Sequence, residues 1–143
     1  MIKRGVAGEE APDERDRLER DIIDEDASLV IWQVGTNAVW EAYDLSRVAA
    51  AIDEGLILHS RPGKEVVLMD LQYAPAILSE NRIEAERMVE LIADVAAANP
   101  PVNLFRRFDL MRRWHEVEES SFDRMIDPSD SDRLPKAIGA HNA

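Results

Sequence analysis

Six consecutive residues, Leu29-Val30-Ile31-Trp32-Gln33-Val34, form an apolar, β-rich run that ends at Gly35. A strand with one wet face alternates apolar and polar side chains; this run does not, so it predicts a strand covered on both faces, as in a parallel sheet. Two further runs, Val66 to Leu71 and Val102-Asn103-Leu104-Phe105, share that character. Helical stripes separate them. Asp44 can cap a helix running to about His59, with Leu45, Val48, Ala49, Ile52 and Leu56 on one face and Pro62-Gly63 closing it. After Gln72-Tyr73-Ala74-Pro75, a second helix runs from Ser79 or Asn81 to Ala98, with Ala85, Met88, Val89, Ile92 and Val95 inward, and stops at Asn99-Pro100-Pro101. A third covers Arg107 to about Glu119. Strands that alternate with helices in this way predict a doubly wound α/β sheet in one domain.

The ends read differently. Residues 1–12 hold Gly5, Gly8 and Pro12 with few large apolar side chains, and are expected to be a flexible leader. Asp13 to Asp26 is a charged helix with a narrow stripe at Leu18 and Ile22. The α/β domain is therefore expected over 13–126, and residues 127–143, which mix Pro, Ser, Asp and Gly without periodicity, as an irregular tail. Asp127, Asp130 and Asp132 do not make a calcium loop, because the ligand spacing, the turn glycine and the closing glutamate are missing. No cofactor or metal is called for by any motif.

Charge narrows the function classes. With 17 Lys and Arg against 29 Asp and Glu, the net charge is −12, which repels phosphate backbones and anionic lipid; nucleic-acid and membrane partners are not expected. The absence of cysteine removes disulfides, thiolate metal sites and a thiol nucleophile together. Lys3 and Arg4 are not followed by an apolar stretch, so no signal peptide is expected and the chain as encoded reads as cytoplasmic.

In open α/β sheets ligands lie outside the carboxyl ends of the strands, which directs attention to Gly35-Thr36-Asn37 and Asp70-Leu71-Gln72-Tyr73. Gly35 permits close backbone approach and Asn37 offers a side-chain amide, so the two can present donors to one developing oxyanion. The plainer alternative is a chain-turning glycine and an asparagine that caps the next segment.

The run Val30 to Trp40, with its strand ending in Gly35-Thr36-Asn37, resembles the third sequence block of the SGNH hydrolases, also called GDSL-type esterases or lipases. Val66 to Pro75 and Phe105 to Glu116 resemble later parts of bacterial members, so that the likeness spans roughly 13–126. It implies a three-layer α/β/α flavodoxin-like fold, here shortened, with a parallel sheet. It also implies ester hydrolysis by a serine nucleophile, a histidine base oriented by an aspartate, and an oxyanion hole to which Gly35 and Asn37 would belong. The family's Gly-Asp-Ser nucleophile motif is nowhere in this sequence, and no glycine sits in the context of its second block. The Asp-x-x-His motif has its nearest counterpart at Asp132-Arg133-Leu134-Pro135, where proline stands at the histidine position and has no group to carry a proton.

The remaining residues do not restore what is missing. His141 would need a tail folded back into the site, and His59 and His115 fall on expected helices. Ser28, Ser46, Ser60 and Ser79 sit at element boundaries, and Ser120, Ser121, Ser129 and Ser131 lie in the C-terminal part. None follows a strand in the tight turn that exposes a nucleophile. Trp32, Trp40, Trp114, Met69, Met88 and Met111 are read as core and pocket wall.

The expectation is thus an ester hydrolase by descent, inactive or incomplete, with a small ester or acyl substrate if active. The alternatives are a non-catalytic binding or assembly module, or half of a split hydrolase completed by another chain. In the family's strand order the nucleophile strand lies beside the strand that here is Leu29 to Val34. Its absence leaves that edge open to self-association, to a partner strand, or to aggregation.

Overall fold

A computed structural model describes residues 2–18, 20, 27–59 and 63–125 of the chain. Helix α1 (Ala11–Leu18) precedes strand β1 (Leu29–Gln33), which is followed by the short helix α2 (Thr36–Trp40) and by α3 (Leu45–His59). Then come β2 (Glu65–Met69), α4 (Pro75–Glu80), α5 (Arg82–Ala98), β3 (Asn103–Phe105), α6 (Arg107–Glu116) and a single 3₁₀ turn at Phe122–Arg124. The three strands are parallel in the order β1-β2-β3, with Ile31 beside Val67 and Val67 beside Asn103. This is the shortened α/β arrangement that the alternating pattern predicts.

Local chemistry explains the helix starts. Asp44 accepts bonds from the Ser46 and Arg47 amides at 3.0 and 3.3 Å, the cap expected for α3. Pro75 opens α4, where its fixed φ and missing N–H cost nothing. The helix expected from Ser79 or Asn81 to Ala98 is α5, which starts directly after Asn81, and α4 is a further short helix before it.

The core lies between the sheet and α3 and α5. Trp32 and Leu68 point from the sheet into a cluster with Val48, Ile52 and Leu56 of α3 and Met88 and Ile92 of α5. Helix α3 approaches β1 so closely that a Cβ on Gly55 would stand 2.6 Å from the Trp32 ring. Residues alternate between sheet faces. On the face opposite Trp32, Leu29 and Ile31 are 51% and 57% exposed, so the expectation that β1 is covered on both faces does not hold among the described residues. The run lacks alternation because Leu29 and Ile31 are apolar where a solvated face would be polar.

The expected leader and the helix after it also shift. Helix α1 begins at Ala11, inside the leader's boundary at 12, and Glu10 is 2% exposed. Of the helix expected over 13–26, residues 13–18 belong to α1, and positions 19 and 21–26 lie outside the described residues.

The Gly55 contact gives a test of this packing. Although alanine favours helices over glycine, Gly55→Ala should lower stability by about 1 to 3 kcal/mol, since the indole has no room to retreat in a packed core. The shift in urea midpoint measures it.

Candidate functional site

Gly35 ends β1 with φ 90°, a left-handed conformation that side chains disfavour. A Cβ there would also lie 2.9 Å from both Ile92 Cδ1 and Leu71 Cδ1, so the position demands glycine twice over. The turn aims backbone N–H groups away from the sheet. The Gly35 N–H donates to Glu10 Oε1 at 2.9 Å, and the Ala38 N–H donates to Glu10 Oε2 at 2.5 Å. Asn37 Nδ2 donates to the Glu9 carbonyl at 2.7 Å. The two donors singled out in the sequence thus meet two different oxygens, the Glu10 carboxylate and the Glu9 carbonyl, in adjacent residues of the N-terminal segment.

That segment is fastened at several points. Arg17 donates to the Glu9 carboxylate from Nε at 2.7 Å and approaches it from Nη2 at 2.6 Å, while its Nη1 donates to the Arg4 carbonyl. Arg15 reaches Glu54 of α3 at 2.6 Å. Glu14 accepts from Trp32 Nε1 at 2.7 Å, and its carboxyl pKa is raised, first by burial and against the indole hydrogen bond.

A second polar group lies at the carboxyl end of β2. Asp70 is 0% exposed; its Oδ1 accepts the Phe108 N–H at 2.8 Å, and its Oδ2 has no partner among the described residues. Burial pushes its pKa up, opposed by the backbone amides at the start of α6. Arg107 ties the strand ends together, donating to the Asp70 carbonyl at 3.1 Å, Gln33 Oε1 at 3.0 Å and Thr36 Oγ1 at 3.4 Å. Burial lowers its pKa to about 10, with Asp70 acting in the opposite sense.

The next residues after β2 serve packing. Tyr73 donates to Glu116 Oε1 at 2.6 Å and meets Phe108 edge-on at 5.1 Å. His115 stacks on Phe122 at 4.0 Å, with Nδ1 3.0 Å from the Ser120 carbonyl. It closes the end of α6, and among the described residues no serine hydroxyl bonds it. Asp132, Pro135 and His141 lie outside the described residues, as do Ser60, Ser129, Ser131 and the side chain of His59. Ser79 Oγ donates to the Ala76 carbonyl of its own helix. Among the described residues no cluster of three or more His, Asp or Glu could hold a metal, and no helix is long and apolar enough to cross a membrane. Trp32, Met88 and Met111 are core, whereas Trp40 lines an open cavity of about 1470 Å³ between the N-terminal segment and β1.

Sequence reasoning pointed to Gly35 and Asn37 and missed Glu9, Glu10 and Arg107. The only signal for Glu10 was its place in an acidic pair a few residues before a helix; nothing periodic marks a buried carboxylate.

Residues 1–137 match the profile of a family described as non-GDSL lipase-like. No curated protein matches the chain. Among solved structures it is similar to catalytic mutants of Axe2, an acetylxylan esterase from Geobacillus stearothermophilus. One superposes with a TM-score of 0.68 at 17% identity over 81% of this chain and 57% of that one. A second gives 0.67 at 17% identity over 88% and 61%. A further Axe2 mutant, described as an acetyl-xylooligosaccharide esterase, gives 0.68 at 18% identity, again over 88% and 61%. These likenesses show the fold, an SGNH-type esterase fold, and the chain spans about three fifths of the length of these esterases.

Two outcomes test the site. Glu10→Gln turns an amide N–H₂ toward backbone donors among Ala11, Gly35 and Ala38, and should cost about 1 to 3 kcal/mol, the range for an unpaired buried donor, in urea unfolding. Glu14 and Asp70 have raised folded-state pKa values, so the folded protein binds more protons than the unfolded chain just above the ordinary carboxylate pKa of about 4. Stability should fall as pH rises through that window up to the raised values. Asp70→Asn should flatten the dependence, read as urea midpoints at a series of pH values.

Proposed function

The chain belongs to the non-GDSL lipase-like family, and from that premise we propose that it is an ester-hydrolase chain that keeps two acyl-oxygen donors and does not turn over esters as it stands. The donors are the Gly35 N–H and the Asn37 side-chain amide. The observation that carries this reading is what they hold: a carboxylate oxygen of Glu10 and the carbonyl oxygen of Glu9. A carboxylate oxygen asks for the same donors as the negative oxygen that develops in acyl transfer, and a peptide carbonyl resembles an acyl oxygen. The N-terminal segment thus stands where an acyl group would bind.

What is lacking is the reacting pair. No Gly-Asp-Ser occurs in the 143 residues, and Pro135 takes the place of a base. One oxyanion donor is worth about 3 to 4 kcal/mol of transition-state stabilisation. Enzymatic rate enhancements need at least about 8 kcal/mol. Two donors would supply about 6 to 8 kcal/mol, the bottom of that range at most, and with no nucleophile or base beside them they favour binding of a small acyl or acetyl group over its hydrolysis.

A fluorophosphonate probe followed by mass spectrometry tests this directly, because it reports an activated serine whatever the natural substrate. The expected result is no adduct, and p-nitrophenyl acetate hydrolysis no faster than that of Asn37→Ala. A stoichiometric adduct on one serine would overturn the proposal.

A further inference from the structure

Arg107 decides which way two neighbouring side chains point. A guanidinium has donors and no acceptor, so whatever it bonds must turn an oxygen toward it. Arg107 donates from Nη1 to Gln33 Oε1 at 3.0 Å and from Nη2 to Thr36 Oγ1 at 3.4 Å. With Oε1 engaged in this way, the Gln33 amide presents its Nε2 hydrogens elsewhere, and no acceptor meets them among the described residues. Thr36 is constrained further. Its oxygen also accepts the Gln72 N–H at 3.3 Å, so both lone pairs are engaged and the hydroxyl has only its hydrogen left to give. Gln33, Thr36 and Gln72 all line the open cavity beside β1.

The result is a pair of donors beside a positive charge. Arg107 forms no ion pair among the described residues: Asp70 offers it a backbone carbonyl, and its other two acceptors are neutral. A half-buried guanidinium in that state bears a desolvation cost that a nearby anion would relieve. Its pKa, lowered by burial to about 10, reflects that cost.

We propose that Gln33 and Thr36, turned by Arg107, form a subsite that takes the carboxylate group of a small molecule. One carboxylate oxygen would accept from Gln33 Nε2 and the other from the Thr36 hydroxyl, two groups that lie side by side because one guanidinium holds both. Hydrogen bonds to a charged acceptor are roughly twice as strong as neutral ones. The Arg107 charge next to both donors favours an anion over a neutral carbonyl. Arg107 is thus a positioning residue that also supplies the field. Thr36 follows Gly35 directly, so the subsite adjoins the turn whose backbone donors hold Glu10 and uses none of them. It stands whether or not the donors at Gly35 and Asn37 take an acyl oxygen.

Sodium propionate titrated into the isotope-labelled full chain at about 0.15 M NaCl, followed by amide NMR, is the test, with propionamide as the neutral probe of the same shape. The expected result is saturable shifts of the Gln33 side-chain amide, the Gln72 N–H and the Arg107 Nε–H. Propionate should bind with a dissociation constant on the order of 1 to 10 mM, and propionamide about tenfold more weakly or worse. Gln33→Glu, at an exposed position, gives Arg107 an anion from within the chain and should weaken propionate binding about tenfold or more. Asn103→Asp adds the same charge at the exposed start of β3 and should bind like the parent chain. Arg107→Lys keeps the charge but loses the planar fork that turns both side chains, and should weaken propionate binding to a similar degree. Circular dichroism identifies the folded variants, and Gln33→Glu decides the matter if Arg107→Lys does not fold. No saturable shift, equal affinity for propionamide, tighter binding of inorganic phosphate, or undiminished binding in Gln33→Glu overturns the proposal. Shifts confined to the Gly35 and Asn37 amides overturn it as well; they would mean that propionate takes the place of Glu10, which speaks for the acyl-oxygen donors alone.

Discussion

The Glu10 carboxylate is taken almost wholly out of water, and a charge in that position is tolerable only if its oxygens are met by donors. Gly35 and Ala38 meet them because a left-handed glycine turns the chain at the end of β1. The same turn sets Asn37 against the Glu9 carbonyl. Residues that precede α1 are thereby tied to the carboxyl end of the sheet, and α1 follows, held to α3 by Arg15 and to Trp32 by Glu14. Glycine at 35 is what permits all of it, since a side chain would collide with Leu71, Ile92 and Met88 as well as strain the backbone.

Arg107 does comparable work on the other side. Its guanidinium spans Gln33, Thr36 and the Asp70 carbonyl, so one side chain joins the ends of two strands and the turn that follows the first. Burial of Arg107 and Asp70 near one another costs solvation for both, and each moderates the cost for the other. This makes the strand ends a rigid polar floor next to the Gly35 turn.

Much of this was legible in the sequence. The three apolar runs give the strands to within one or two residues, and the stripes Leu45 to Leu56 and Ala85 to Val95 give α3 and α5, because burial against a sheet imposes a period that composition cannot hide. Gly35 and Asn37 stood out because they follow a strand. What the sequence concealed has a different physical origin. Glu10 is buried by backbone donors that are remote in sequence, so it reads as one more acidic residue in a loose leader. Leu29 and Ile31 look like core residues, yet the face they occupy is exposed; side-chain chemistry alone does not distinguish a covered face from one that awaits cover.

One contact described for packing also links an indole to the turn at Gly35. Of the three indoles, Trp32 is buried, while Trp40 and Trp114 are about 40% exposed. Trp32 alone has both a carboxylate on its Nε1, from Glu14, and the backbone of Gly55 against its ring. Its surroundings therefore set it apart from the other two indoles. Glu14 lies one turn after Glu10, and its N–H donates to the Glu10 carbonyl at 3.0 Å, so one stretch of chain holds both the indole and the Gly35 turn. Moving that stretch would change the surroundings of Trp32 together with the partners of the Gly35 and Asn37 donors.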